Sequence, residues 1–183
     1  MTTSIFILAW CIGALAWFLA VGESIGYLLF YPIVYRNGLR VFNENIIIPS
    51  PSEHEIGKII ITDYGKFKII SHELCLFRIK FPIFAFRIHT PFPIKGTINW
   101  SNGIASVEGR IPVFPIIFFS AWLIGWTIGG LMFISSEGIT GIMFVLFGWI
   151  FVVAICLFSL PLETKRAHRI INEFTSRLTK RSS

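Results

Sequence analysis

Three runs without Asp, Glu, Lys, Arg or His divide the chain: Ser4–Gly22, Pro112–Ile134 and Ile139–Leu160. Each is close to the roughly 20 residues a helix needs to cross a hydrocarbon core of about 30 Å. Between the first two runs, continuous apolarity gives way to alternation. Lys66-Phe67-Lys68-Ile69 repeats with period two, and Phe77, Ile79 and Phe81 alternate with Arg78 and Lys80. This is the pattern of strands with one wet face. Ile56–Thr62, Phe84–His89, Thr97–Ser101 and Ile104–Ile111 read as further strands, the last two joined by Asn102-Gly103, a hairpin signal of the I′ type. Asn37-Gly38, Pro49-Ser50-Pro51-Ser52 and Tyr64-Gly65 mark turns, and prolines 82, 91 and 93 belong at strand ends or edges. After the third run the period changes again. Ala167, Ile170, Ile171, Phe174 and Leu178 fall on one helical face, ringed by basic residues.

The predicted fold is a membrane α+β architecture. Three transmembrane helices carry an antiparallel β-meander module, of about five to seven strands, inserted between helices 1 and 2, and an amphipathic helix closes the chain. Residues 1–35 form the first transmembrane helix and an interfacial segment, and residues 36–111 the β module. Residues 112–160 form a transmembrane hairpin (112–134 and 139–160) that turns at Ser135–Gly138, and 161–183 the basic tail. Open sheet edges cannot face lipid, so the module lies in water or at the interface. The tail stripe has two destinations, an anionic leaflet or the sheet.

Two features of the spans carry expectations of their own. Apolarity continues past Gly22 to Tyr35, interrupted only by Glu23. Either the helix ends near Gly22 and Tyr27, Tyr31 and Tyr35 lie at headgroup depth, or one long helix continues through about Phe30 with Glu23 inside the membrane. Span length and the flanking Gly22 and Gly26 favour Glu23 as a boundary residue; an intramembrane carboxylate would be a functional candidate by default. Gly125 and Gly129 form a GxxxG spacing that permits close helix approach. The third run, with Gly141 and Gly148, is its expected partner.

Charge gives orientation. Of 16 Lys and Arg, ten lie between the first and second runs and six in the tail, with none before Ser4 or in Ser135–Gly138. The positive-inside rule then predicts an external N-terminus, with module and tail in the cytoplasm. Ala20-Val21-Gly22 resembles a signal cleavage site, but no Lys or Arg precedes the apolar run, so a retained anchor is expected. A bacterial inner membrane is the default location. The pI of about 9.5 follows from the same basic excess facing anionic lipid, so no nucleic-acid partner is expected.

Candidate chemistry is sparse. His54-Glu55, His72-Glu73, Cys75 and His89 match no zinc spacing. There is no GxSxG elbow and no phosphate-binding glycine loop. The expectation is a non-enzymatic protein without metal or cofactor, whose module binds membrane lipid or a protein partner, a second copy included. The contact candidates are Arg78, Lys80 and Arg87, set among Phe81, Phe84, Phe86 and Phe92, together with Lys165, Arg166, Arg169 and Arg177 of the tail. The rival expectation is an oligomeric pore or transporter subunit that uses Glu23.

Overall fold

The computed structural model describes residues 2–80 and 92–182. It divides into two compact units, Met1–Glu23 with Val113–Leu160, and Ser24–Pro112 with Pro161–Ser183. The helices are α1 (Thr2–Leu28), α2 (Pro32–Arg36), α3 (Val113–Glu137) and α4 (Ile139–Ser182).

In the first unit, α1, α3 and the start of α4 are long and apolar enough to cross a membrane. Their outward faces carry Leu15, Phe18, Ile124, Leu131, Phe147, Ile150 and Phe158, all exposed. That much uncovered apolar surface suits lipid and not water. Helices with apolar surface all round gain little specificity from it, and here small residues and polar contacts mark where they meet. Trp126 stacks on Phe144 with centroids 4.1 Å apart and donates from Nε1 to the Phe144 carbonyl at 2.8 Å. Trp149 Nε1 donates to Thr127 Oγ1 at 3.1 Å. Gly148 lies against the Trp126 indole, Gly141 against the backbone of Ile134, and Gly130 against Val145.

The GxxxG face points elsewhere than expected. A Cβ on Gly125 would lie 3.4 Å from Trp10 Nε1, and one on Gly129 3.5 Å from Phe6, so both glycines meet α1. Sequence proximity of the hairpin partner does not fix which face of α3 it covers. The α3–α4 turn is also tighter than four residues, because α3 continues to Glu137 and Gly138 alone, at φ +58°, reverses the chain. Glycine adopts that conformation without a Cβ penalty. Helix α4 then continues through Pro161 as one 44-residue element, where two were expected. A proline removes one N–H from the ladder, but here it does not end the helix.

The second unit is a six-stranded antiparallel sheet. Its strands are β1 (Leu39–Ile46), β2 (Ile59–Ile61), β3 (Gly65–Ser71), β4 (Leu74–Ile79), β5 (Lys95–Ser101) and β6 (Ile104–Ile111), in the order β1-β6-β5-β4-β3-β2. Strands β2 to β6 run as an antiparallel meander in which β4 pairs directly with β5, and β1, not expected as a strand, pairs with β6. Asn102 and Gly103, at φ 51° and 78°, make the primed turn between β5 and β6. The Phe84–His89 strand expectation falls outside the described residues.

One face of the sheet is covered by α4, and the other is covered over β4. On one, Phe67, Ile69, Cys75, Phe77, Ile98, Trp100, Ala105 and Val107 pack against Ile170, Ile171, Phe174 and Leu178. The tail stripe therefore lies on the sheet. Gly96 and Gly109 sit beneath the rings of Phe77 and Phe42, where a side chain would collide. On the other face, Tyr27, Phe30 and Tyr35 cover Leu74 and Leu76. Strand β4 is consequently buried on both faces, not half-wet as its alternation suggested. Tyr27 and Tyr35 are correspondingly core residues, with stacked rings and the Tyr35 hydroxyl donating to the Tyr27 carbonyl at 2.8 Å; Tyr31 alone of the three is exposed. This cluster explains why α1 does not stop at Gly22. Its last turn continues through Glu23 to carry Tyr27, and it ends with Phe30 at φ 58° and a Tyr31 N–H to Gly26 carbonyl bond, a Schellman-type closure.

Candidate functional site

The strand register sets five basic residues in one transverse line. Arg40 on β1 stands opposite Arg110 on β6, Arg110 opposite Lys95 on β5, Lys95 opposite Arg78 on β4, and Arg78 opposite Lys66 on β3. Directly opposed residues project from the same face, so the line crosses five strands, about 19 Å at the usual interstrand spacing. Like charges at opposed positions destabilise a sheet. Moreover, two of these cations are buried, Arg78 with 7% and Lys95 with 1% relative exposure. Burying a cation is costly unless partners compensate.

Part of that compensation is visible. The Arg78 guanidinium lies over the rings of Tyr27, at 5.3 Å, and Phe30, at 4.9 Å. It also donates from Nη2 to the Leu28 carbonyl at 3.5 Å. Leu28 ends α1, and a helix C-terminus carries partial negative charge. Arg110 donates from Nη2 to Glu108 Oε2 at 2.7 Å and from Nη1 to the Gly38 carbonyl at 3.2 Å. Arg40 stands 4.0 Å from the other Glu108 oxygen. Even so, the buried Nε atoms of Arg78 and Arg110 meet no hydrogen-bond partner among the described residues. The Arg40 side chain, at 58% exposure, leaves the β1 end of the line open.

Of the contact residues expected from sequence, only Arg78 belongs to this line, and it lies beneath aromatic rings and not on an open surface. Lys80 is exposed, and Arg87 lies outside the described residues with Phe81, Phe84 and Phe86. Phe92 is buried. In the tail, Lys165 is exposed, while Arg166 is bound to Glu163 at 2.7 Å and Arg169 lies 3.9 Å above the Tyr64 ring. Arg177 bridges Glu173 at 3.0 Å and the Ile61 carbonyl at 2.9 Å. Burial alone would raise the Glu173 pKa. The Asp63 N–H, the Thr62 hydroxyl and Arg177 outweigh it and hold the carboxyl below its ordinary range. In the helical unit, the Glu23 carboxylate accepts the Phe114 N–H at 3.4 Å.

Lys66, Lys95, Arg110 and Arg40 were missed as a group. Lys66 and Arg110 are polar positions of expected strands, whereas Arg40 and Lys95 lie outside any strand read from the sequence. Their alignment depends on register, and a one-residue slip would send any of them to the opposite face.

The His and Cys positions do not assemble. His54 Nε2 lies 3.2 Å from Ser52 Oγ, and His72 Nδ1 lies 3.2 Å from the Pro51 carbonyl. Cys75 is fully buried, and burial pushes its thiol pKa well up. His89 is outside the described residues. Among the described residues no three His, Cys, Asp or Glu side chains stand together as metal ligands. A groove of about 730 Å³ runs beside β2, lined by Ser52, His54, Glu55, Lys58 and Arg177. There, Glu55 is bound in the Ser52 capping box and Arg177 in its ion pairs, which leaves the basic line as the stronger candidate. The chain matches no family model, no curated protein and no solved structure.

Proposed function

We propose that this is a non-enzymatic, membrane-anchored binding protein whose β module contacts anionic lipid headgroups. One observation carries the reading. Immediately after α1, the exposed apolar residues Leu29, Tyr31, Ile33 and Leu39 lie close in sequence to the exposed cations Arg36 and Arg40. In bulk water such a surface is a liability. At an anionic leaflet both classes of side chain are satisfied, the apolar ones at the acyl boundary and the cations among phosphates. Each basic residue near such a surface contributes about 1 kcal/mol.

The three apolar helices supply the anchor, and the placement of all 16 basic residues in the module and tail supports a cytoplasmic module with an external N-terminus. Glu23, the residue on which a transport reading depends, is engaged at the start of α3. That engagement supports an anchor over a pore.

The test is amide hydrogen exchange on the full chain in nanodiscs. Exchange across Leu29–Arg40 should be slower in discs of phosphatidylcholine with phosphatidylglycerol than in phosphatidylcholine alone. Identical exchange in the two discs would overturn the lipid reading and turn the search to protein partners.

A further inference from the structure

The basic line poses a physical problem that contact with a charged surface does not solve. Surface electrostatics requires exposed cations in no particular register. Here five cations occupy five adjacent strands in one line, two of them buried, at the expense of mutual repulsion. Glu108 serves Arg110 and approaches Arg40, while Glu163, buried near Tyr27, is bound to Arg166.

The unpartnered atoms indicate what is missing. An arginine recognises phosphate and carboxylate by presenting parallel N–H groups in a fixed fork. Arg110 has committed Nη1 to Gly38 and Nη2 to Glu108, leaving Nε buried and unpartnered. Arg78, more than nine-tenths buried, also has an unpartnered Nε. Arg40, beside Arg110, is open to solvent. An anion bound between Arg40 and the part-exposed Arg110 side chain would accept the second hydrogens of Nη1 and Nη2, which Gly38 and Glu108 leave uncommitted, and relieve the repulsion along the line.

Position in the chain selects the kind of anion. Arg78 touches Leu28, the last residue of the first apolar helix, and Arg110 stands three residues before Val113, the first of the second. In a chain anchored by those helices, the phosphate met just beyond an apolar helix end is that of a lipid headgroup.

We infer that the basic line is a phosphate site: Arg110 and Arg40, at its open end, take the phosphate of one anionic phospholipid headgroup, and Lys95 and Arg78 hold that part of the sheet positive. The inference rests on the lipid-facing reading of the module and narrows it to a one-to-one site.

Native mass spectrometry of the full chain released from detergent micelles tests it. With phosphatidylglycerol titrated against phosphatidylcholine, the wild type should retain one phosphatidylglycerol. Arg40→Gln combined with Arg110→Gln should weaken retention about tenfold, the scale of one lost charge-assisted contact. Arg110→Lys should recover it only in part, because the charge returns without the fork. Lys58→Gln combined with Lys180→Gln removes the same charge elsewhere and should leave retention unchanged. An unaltered melting temperature in the Arg40 and Arg110 variant separates a lost ligand from a lost fold. Displacement of the lipid by inorganic phosphate at equal concentration would overturn the lipid source and assign the site to free phosphate. Undiminished retention by the double glutamine variant, with lipid protection of Leu29–Arg40 still present, would sink the site and leave the module's membrane contact standing. Absence of both would sink the two together.

Discussion

The Glu23 carboxylate of α1 accepts the backbone N–H of Phe114, in the first turn of α3, at 3.4 Å. The first N–H groups of a helix have no partner within it, and an acid at that end is favoured by the helix dipole, by about 0.3–2 kcal/mol depending on burial. This contact gives a carboxylate at the end of an apolar run a structural reason to be there. Glu23→Ala should therefore destabilise the helical unit by about 1–2 kcal/mol. Glu23→Gln, which keeps an acceptor and loses the charge, should cost less. Thermal melting in detergent, followed by tryptophan fluorescence, measures both. If neither variant moves the midpoint, the contact is not structural, and the carboxylate again becomes a candidate for ion conduction.

Phe174 stacks on Phe67 with centroids 4.1 Å apart and rings within 7° of parallel, and both residues are fully buried. This contact joins α4 to the sheet. Phe174→Ala should cost about 3–5 kcal/mol, the usual range for a buried aromatic truncated in a core. Cys75 lies in the same cluster and reports on it. A buried thiol with a raised pKa reacts poorly, because the thiolate is the nucleophile. Cys75 should resist a thiol reagent in the folded wild type and label rapidly in Phe174→Ala. Equal labelling of the two proteins would mean that the helix does not shield the sheet.

How much of this was legible in the sequence differs by element, for physical reasons. The three apolar helices were readable because span length and missing charge need no tertiary information. The Asn102-Gly103 hairpin was readable because its turn chemistry is local. The pairing of β1 with β6 was not, since contact between residues such as Arg40 and Arg110 leaves no trace in local pattern. The same limit hid the basic line. Strand β4 misled in another way. Its alternation promised a wet face, but the last turn of α1 and helix α2 bring Tyr27, Phe30 and Tyr35 onto that face, so Arg78 is buried despite its charge. The tail stripe was plain from periodicity, while its destination depended on a sheet face that only the fold assembles.

The glycines of the helical unit differ in how tightly they are enclosed. A Cβ at Gly125 would meet Trp10 Nε1 at 3.4 Å, an ordinary contact, whereas one at Gly148 would overlap the Trp126 indole. Gly125→Ala should change stability by less than about 0.5 kcal/mol. Gly148→Ala should cost about 1–3 kcal/mol, the range for overpacking a filled site. It should also shift tryptophan emission as the indole loses its stack on Phe144. Melting curves of the two variants in one detergent decide the order. The reverse ranking would mean that the GxxxG face, and not the α3–α4 contact, governs packing.

His168 supplies a pH dependence. Its Nε2 lies 2.7 Å from Glu44 Oε1 on β1, and its Nδ1 lies 2.7 Å from the Thr164 carbonyl. Both ring nitrogens face acceptors, so both must carry protons for the two bonds to form together, and the ring is then an imidazolium. Burial among neighbours such as Phe42 works against that charge. The Thr164 carbonyl and the Glu44 carboxylate together outweigh it and raise the pKa above the ordinary histidine value of 6.5. A raised folded-state pKa means that the folded protein binds the proton more tightly than the unfolded chain does. The stabilisation is thus complete below about pH 6.5 and is lost as pH rises through the folded-state value. Histidine proton resonances, followed by NMR in detergent, should show His168 titrating above 6.5. Glu44→Gln should bring that midpoint down, and β1 amides should exchange faster above it once the intrinsic pH dependence of exchange is removed. A His168 midpoint at or below 6.5 in the wild type would show that the Glu44 contact does not hold the proton, and the clamp between α4 and β1 would then be independent of pH.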